Sequence, residues 1–159
     1  MKKIGIVCSS GGHLTQALSV IEAFEGFEVF LIVHDFPSLR GLEVKGIHRI
    51  HRLPLYFGYS SSVSISITLL INTFQILTLL LKERPFLLFS TGAEIALPAF
   101  FLGKLLFKAR LIFLESLARV KAFSLTGKCV YAITDLFLVQ WPELLNEKKP
   151  KAIYRGRLI

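Results

Sequence analysis

The stretch Ser9-Ser10-Gly11-Gly12-His13 follows directly on the apolar run Ile4–Cys8. Two adjacent glycines let a backbone approach a ligand closely. A histidine at the entrance of a helix can donate a hydrogen bond to a phosphate or take a proton from a hydroxyl. Where a strand of a parallel sheet ends in such a turn, free N–H groups and the positive helix end converge on one spot, which suits a phosphate or diphosphate. Ser10, Gly11 and Gly12 are therefore candidate phosphate-binding residues, and His13 is a candidate positioning group or base. The pattern is neither GxGxxG nor GxxxxGK[ST], so a dinucleotide fingerprint and an NTPase loop are excluded. Ser9 and Ser10 lack the GxSxG setting of a hydrolase nucleophile. The plain alternative is a tight bend that needs two glycines for steric reasons alone.

Two later stretches carry the same kinds of residue. In "STGAEIALP", Thr91 and Gly92 are expected to leave backbone amides free ahead of a helix, with Glu94 near its start. In "LESLARVKAFSLTGK", Glu115 stands where an apolar run stops, and Ser116, Arg119 and Ser124 follow. A carboxylate there can accept sugar hydroxyls or fix a neighbouring cation. The alternative for Glu115 and Arg119 is an i, i+4 ion pair, worth about 0.2–0.5 kcal/mol. His34, His48 and His51 show no metal-ligand spacing and read as surface or strand residues. Cys8 and Cys129 form no CxxC, and their apolar contexts predict two buried thiols. No metal is expected.

These residues need elements to hold them. Lys3–Cys8 reads as a short buried strand, Leu14–Phe24 as a helix, and Phe27–Val33 as a second buried strand. Strands are expected at Ile47–Leu53, Phe86–Phe89, Arg110–Leu114 and Leu136–Gln140, and helices at Ala96–Phe107 and Leu125–Ala132. The tail "KKPKAIYRGRLI" can add one edge strand. Strands alternating with helices predict an α/β fold, a Rossmann-like parallel sheet with helices on both faces. Residues 1–159 read as a single domain, with no repeat, low-complexity tract or linker.

One segment departs from an ordinary soluble pattern. No charged residue occurs from Leu53 to Leu81, and Val63–Leu81 has about the length of a bilayer-spanning helix. Ser61, Ser64, Thr68, Asn72, Gln75 and Thr78 recur every three or four residues and form a polar stripe. The expected structure is a helix packed on the sheet whose outer face is unusually apolar. Lys45, Arg49, Arg52, Lys82 and Arg84 flank it, and an apolar patch ringed by cations suits an anionic bilayer surface.

Composition agrees with a globular domain that meets a membrane or a large partner. Hydrophobic residues make up 53% of the 159 and charged residues 19%, and the mean hydropathy is +0.59. The net charge is +8, and all of its excess lies beyond residue 44. Such a balance favours phospholipid head groups or lipid-linked diphosphates. Nucleic acid is disfavoured, because the basic residues form no arginine-rich run and are not interleaved with aromatics. Lys2-Lys3 and the following apolar run are too short for a signal peptide, so the N-terminus reads as a first strand in the cytoplasm.

The motifs together carry a resemblance. "SSGGHLTQ" at 9–16, "STGAEIALPAFFLGKLL" at 90–106, "FLESLARVKAFSLTGKCVYAITDLFLVQWPEL" at 113–144 and the closing "AIYRGRLI" are similar to the membrane-associated subunit of the two-component UDP-sugar glycosyltransferases. That family includes the dolichol-linked oligosaccharide N-acetylglucosaminyltransferase subunit and bacterial capsule and exopolysaccharide relatives. More distantly, the layout resembles the N-terminal half of the peptidoglycan lipid-intermediate glycosyltransferase. The resemblance implies the acceptor-side half of a GT-B glycosyltransferase, active only with a small donor-binding partner subunit. That subunit would bind the UDP-sugar, and no other cofactor is implied. The sugar, N-acetylglucosamine or another hexose, would pass to a polyprenyl-diphosphate-linked saccharide.

On that basis His13 and Glu115 are the expected catalytic residues. Ser10, Gly11, Gly12, Thr91, Gly92, Ser116 and Arg119 are expected to bind the acceptor and its phosphates. The family's docking through the C-terminal tail makes Tyr154, Gly156 and Ile159 candidate partner contacts. Many eukaryotic relatives carry an N-terminal membrane helix, whereas this sequence begins with a strand, so attachment to the cytoplasmic face of the membrane is expected through 53–81 or a partner. Inversion by direct displacement without metal is the expected chemistry. The alternatives are a non-catalytic adaptor that tethers the transferase, a small Rossmann-like oxidoreductase, and a peripheral membrane protein with no enzymatic role.

Overall fold

The computed structural model describes residues 1–41, 43–54, 62–145 and 150–158, the side chains of 62–66 excepted. Seven strands form one sheet: β1 (Lys3–Val7), β2 (Glu28–His34), β3 (Arg49–Leu53), β4 (Leu87–Ser90), β5 (Arg110–Leu114), β6 (Leu136–Val139) and β7 (Ala152–Tyr154). The order is β3-β2-β1-β4-β5-β6-β7, and every pairing is parallel. The chain thus builds outward from β1 to β3, then returns to β1's other side with β4. That reversal is the switch point at which doubly wound sheets bind ligands. All seven strands end on one edge, so the loops after β1, β4, β5 and β6 share it. The tail's expected edge strand is β7, paired with β6 through Phe137↔Ala152 to Val139↔Tyr154.

Among the described residues four α-helices accompany the sheet: α1 (Gly12–Leu18), α2 (Ser62–Glu83), α3 (Ala96–Phe107) and α4 (Leu125–Val130). Alternation along the strands splits the core in two. One face places Val7, Phe30, Ile32, Leu88, Phe113 and Phe137 against α2, α3 and α4. There Phe100 meets Phe113 edge-on and Phe113 stacks on Phe137 at 5.2 Å. The other face packs Ile4, Ile6, Leu31, Val33 and Phe89 against Leu14 and Ala17 of α1. The predicted helix 14–24 is shorter than expected. Ser19 Oγ turns back to the Gln16 carbonyl at 2.9 Å, and Ile21–Phe24 continues as a separate 3-10 turn.

The long segment is a helix on the sheet, as its polar stripe implied. Thr68, Asn72, Ile76, Leu80 and Glu83 face inward, spaced by three or four residues. Ile67, Leu70, Phe74 and Leu81 face out, and Phe74 is 65% exposed. The polarity is therefore partly inverted: Thr68 and Asn72 lie inside, while large apolar side chains meet solvent. Asn72 Oδ1 and Nδ2 are buried without a hydrogen-bond partner among the described residues. Among those residues no helix is long and apolar enough to cross a membrane. Residues 55–61, including Ser61 of the stripe, lie outside the described residues.

The strand starts carry a charge cluster around Glu83, whose side chain is 1% exposed. Lys3 Nζ donates to it at 3.0 Å, Arg49 Nε at 3.0 Å and Nη2 at 2.9 Å, and His51 Nε2 lies at 2.9 Å. Arg49 also bonds Glu28. Burial pushes the Glu83 carboxyl up, but hydrogen bonds from Lys3, His51 and Arg49 outweigh it and bring it down to about 2. Of the two readings given for His34, surface or strand, the structure has the strand: it is the last residue of β2 and is fully buried. Cys129 is exposed rather than buried. Cys8 is buried as expected, and burial lifts its thiol to about 12.

Candidate functional site

The turn after β1 and the loop after β4 meet at the switch point. Gly11 has φ +76° and ψ −139°, a conformation that suits glycine. Gly12 does not need that freedom, because a Cβ there would meet nothing within 4 Å. The space over Gly12 is open, and among the described residues the N–H groups of Gly11, Gly12 and His13 donate to no protein acceptor. Thr15 N–H closes the first turn of α1 on the Gly11 carbonyl at 3.0 Å.

His13 is locked from both ends by Thr91. The His13 Nδ1 lies 2.8 Å from the Thr91 carbonyl, and Thr91 Oγ1 donates to the His13 carbonyl at 2.7 Å. A carbonyl can only accept, so Nδ1 carries the hydrogen. In the neutral ring Nε2 then keeps its lone pair, the state a base requires. Gly92 makes room for this ring: with φ +127°, a Cβ there would stand 2.6 Å from His13 Cε1. The Gly92 N–H is taken up by Ser90 Oγ at 3.1 Å, so the expected free amide at Gly92 is corrected. Thr91 is fully buried. Both residues support His13 rather than line an anion cradle. The next residue, Ala93, also has positive φ (86°), placing two unusual backbone conformations in succession at this edge.

Glu115 is corrected as a catalytic group that touches substrate, because it is fully buried. Its Oε1 accepts from Ser116 N at 2.9 Å, and its Oε2 from Ser124 N at 2.9 Å and Ser124 Oγ at 3.1 Å. Ser124 in turn caps α4 by accepting from Gly127 N at 2.9 Å. A Cβ at Gly127 would fall on the Glu115 carboxylate. The carboxylate therefore ties both ends of the 116–124 loop to the sheet. The Glu115–Arg119 ion pair is absent from the described residues. Arg119 stands exposed on the loop, in a turn closed by its N–H on the Ser116 carbonyl at 2.9 Å.

Three groups escaped the sequence reading. Gln16 and Gln140 are buried and bonded to each other. His34 Nε2 lies 2.8 Å from Glu94 Oε1. The alternation Phe30, Ile32, His34 on one strand face was the available signal for the last. The two glutamines are far apart in sequence and gave none. Of the expected partner contacts, Tyr154 ends β7 half-buried, Gly156 is exposed with φ +108°, and Ile159 lies outside the described residues. No cluster of three metal-ligating side chains occurs among the described residues.

Comparison with known proteins bears on the family and the fold. The family described as "Oligosaccharide biosynthesis protein Alg14 like" matches residues 43–158. The human UDP-N-acetylglucosamine transferase subunit ALG14 is 29% identical, over 97% of this chain and 82% of its own length. The Kluyveromyces lactis subunit of the same name is 31% identical, over 97% of this chain and 77% of its own. The solved structure of Acinetobacter baumannii MurG superposes with a TM-score of 0.76 at 16% identity, covering 97% of this chain and 45% of that one. The chain thus has the Rossmann-like fold of one part of a GT-B glycosyltransferase and spans less than half of MurG's length. With the family match extending from residue 43 to residue 158, the chain belongs to the Alg14 family.

Proposed function

We propose that this chain is the acceptor-side subunit of a two-subunit glycosyltransferase that moves a sugar from a UDP-sugar to a polyprenyl-diphosphate-linked saccharide. The observation that carries the reading is the His13–Thr91 lock at the sheet's switch point, which leaves Nε2 as a base beside an open glycine turn. The relatives' description as transferase subunits supports a second chain as the donor-binding half. The acceptor diphosphate lies over Gly11-Gly12, near Ser10, with the exposed Arg119 and the Ser116 turn on the neighbouring loop. As the acceptor hydroxyl forms its bond to the anomeric carbon, the bond to UDP breaks and the hydroxyl proton passes to His13 Nε2. The anomeric centre inverts. Thr91, Gly92 and Glu115 position the groups that do this. The UDP-sugar binds mainly on the partner, which engages the tail at Tyr154, Gly156 and Ile159.

The membrane contact is the outward face of α2 and α3. Leu70, Phe74 and Leu81 of α2, with Phe101, Leu105 and Leu106 of α3, are exposed. Leu81 and Leu106 line one depression with Arg84 and Pro85. Apolar side chains beside Lys82, Arg84 and Lys108 suit the cytoplasmic surface of an anionic bilayer.

The test is purification of the tagged chain in mild detergent from its host membranes, followed by addition of labelled UDP-sugars and extracted lipid. A second small subunit and label in the lipid are expected. His13→Ala should abolish most transfer while leaving the partner bound. Full transfer by that variant with an artificially tethered partner would replace this reading with the adaptor.

A further inference from the structure

The turn that carries His13 is tied to the C-terminal tail through two buried side-chain amides. Gln16 on α1 is 6% exposed and Gln140, just past β6, is 0% exposed. Leu117 N–H donates to Gln16 Oε1 at 3.1 Å, and Leu158 N–H donates to Gln140 Oε1 at 3.2 Å. A backbone N–H can only donate, so these bonds identify the oxygen end of each amide. The nitrogen ends then point one way. Gln140 Nε2 donates to Gln16 Oε1 at 2.5 Å and to the Glu115 carbonyl at 3.0 Å. Gln16 Nε2 donates to the Gly12 carbonyl at 3.2 Å.

An unbroken path of hydrogen bonds therefore runs from Leu158 through Gln140 and Gln16 to Gly12, with branches to Glu115 and Leu117. The next residue reinforces it. Trp141 Nε1 donates to the Leu117 carbonyl at 2.6 Å, and the Arg157 guanidinium lies 3.6 Å over the indole ring. Tail residues Arg157 and Leu158 thus rest on Gln140 and Trp141, and both of those hold the segment 115–117. Leu158 also packs against the core on the face that carries α1. Each amide must both donate and accept in a buried setting, where an unmatched group is costly. Shifting the tail pulls on the orientation of Gln140, and through it on the Gly12 carbonyl and the start of the helix that bears His13.

We propose that the Gln16–Gln140 pair couples the tail to the acceptor turn, so that engagement of the tail by the donor-binding subunit sets the geometry of Gly12 and His13. The inference rests on the reading of 154–159 as the partner contact. Gln16 and Gln140 are positioning residues, and acceptor binding and subunit binding become linked. Linkage is reciprocal, so the acceptor must tighten the subunit interface by the factor by which the subunit tightens acceptor binding.

The test uses the full chain and the subunit that copurifies with it. The subunit's Kd is measured with and without a saturating short-chain prenyl-diphosphate-linked N-acetylglucosamine, together with KM and kcat. The native chain is expected to bind its partner at least about 5-fold more tightly with the probe present. Gln140→Leu should bring that ratio close to one and raise KM for the acceptor, while the Kd without probe changes less than about 2-fold, below the coupling it reads. Leu158→Pro removes the tail N–H that reaches Gln140, together with the packed side chain, leaves the buried amides in place, and should also lose the ratio, whereas Leu158→Ala, which keeps the N–H, should retain it. The Leu158→Pro result stands if Gln140→Leu does not fold.

No ratio in the native chain, or an unchanged ratio in Leu158→Pro, overturns the proposal. Deletion of 155–159 separates the two layers of argument. Loss of partner binding in that deletion with an unchanged ratio in Leu158→Pro removes the coupling alone. Intact partner binding removes the tail reading, and the coupling with it.

Discussion

The two edges of the sheet each bury a carboxylate, and they satisfy it in opposite ways. At the strand starts Glu83 is surrounded by Lys3, Arg49 and His51, with Glu28 on the far side of Arg49. At the strand ends Glu115 is held by two backbone N–H groups and one hydroxyl, with no cation among the described residues. Basic side chains on β1 and β3 converge on one carboxylate of α2 and pull those elements together, so the first cluster fastens the scaffold. Backbone N–H groups belong to the loop itself, so the second carboxylate shapes a loop and leaves nearby cations such as Arg119 uncommitted. Charge is consumed at one edge and kept available at the other. At the second edge the His13 ring, fixed at Nδ1 by the Thr91 carbonyl, stands beside the open space over Gly12.

The largest effect expected from this contrast is at the fastening edge. Glu83→Ala strands Lys3 and Arg49 beside each other and should cost about 3–5 kcal/mol of stability in urea unfolding. Because the folded-state carboxyl lies near 2, below its ordinary value of 4.5, Glu83 contributes its full stability above pH 4.5 and loses it as pH falls toward 2. The native chain should show that acid limb and the variant should not. His13→Ala is the reverse case: transfer should fall by about 10²–10⁴-fold, the range for a lost general base. Its melting temperature should stay within a few degrees of native, and a large drop would make His13 structural.

Two glycines sharpen the comparison within the site. Gly92→Ala forces a Cβ onto His13 at a positive φ and should lower both turnover and stability, the latter by about 1–3 kcal/mol. Gly12→Ala meets nothing, so stability should hold within about 0.5 kcal/mol, while KM for the diphosphate acceptor rises. Equal effects of the two substitutions on stability would mean that the turn is a bend and not a binding surface. The smallest effect is expected at the apolar face. Phe74→Glu should leave folding intact, since that side chain is 65% exposed, and weaken flotation with anionic vesicles.

Much of this was legible in the residues. The buried strands announced themselves as short β-branched runs, and a Gly-Gly-His turn after the first of them pointed to the switch point. The periodic polar stripe identified 63–81 as a packed helix despite its length and apolarity. What failed to show was which of several available partners a polar group takes, whether that partner is a neighbour or distant along the chain. Glu115 and Arg119 sit at ideal spacing for an ion pair, but Ser124 and Ser116 reach the carboxylate first with groups that the loop must bury anyway. Gly92 looked like a donor of a free amide, and Ser90 had already taken it. His34 read as a surface or strand residue, and nothing local showed that the loop after β4 would enclose it beside Glu94.

The sequence by itself determined the parallel α/β class, the edge at which chemistry gathers and the family resemblance, because periodicity, turn residues and motifs are local patterns. Only the tertiary structure decided which groups face the open cleft. That choice turns on hydrogen bonds across 78 residues between His13 and Thr91, and across 124 between Gln16 and Gln140. Each such bond satisfies a polar group that folding would otherwise bury alone, and no window along the chain contains both of its ends.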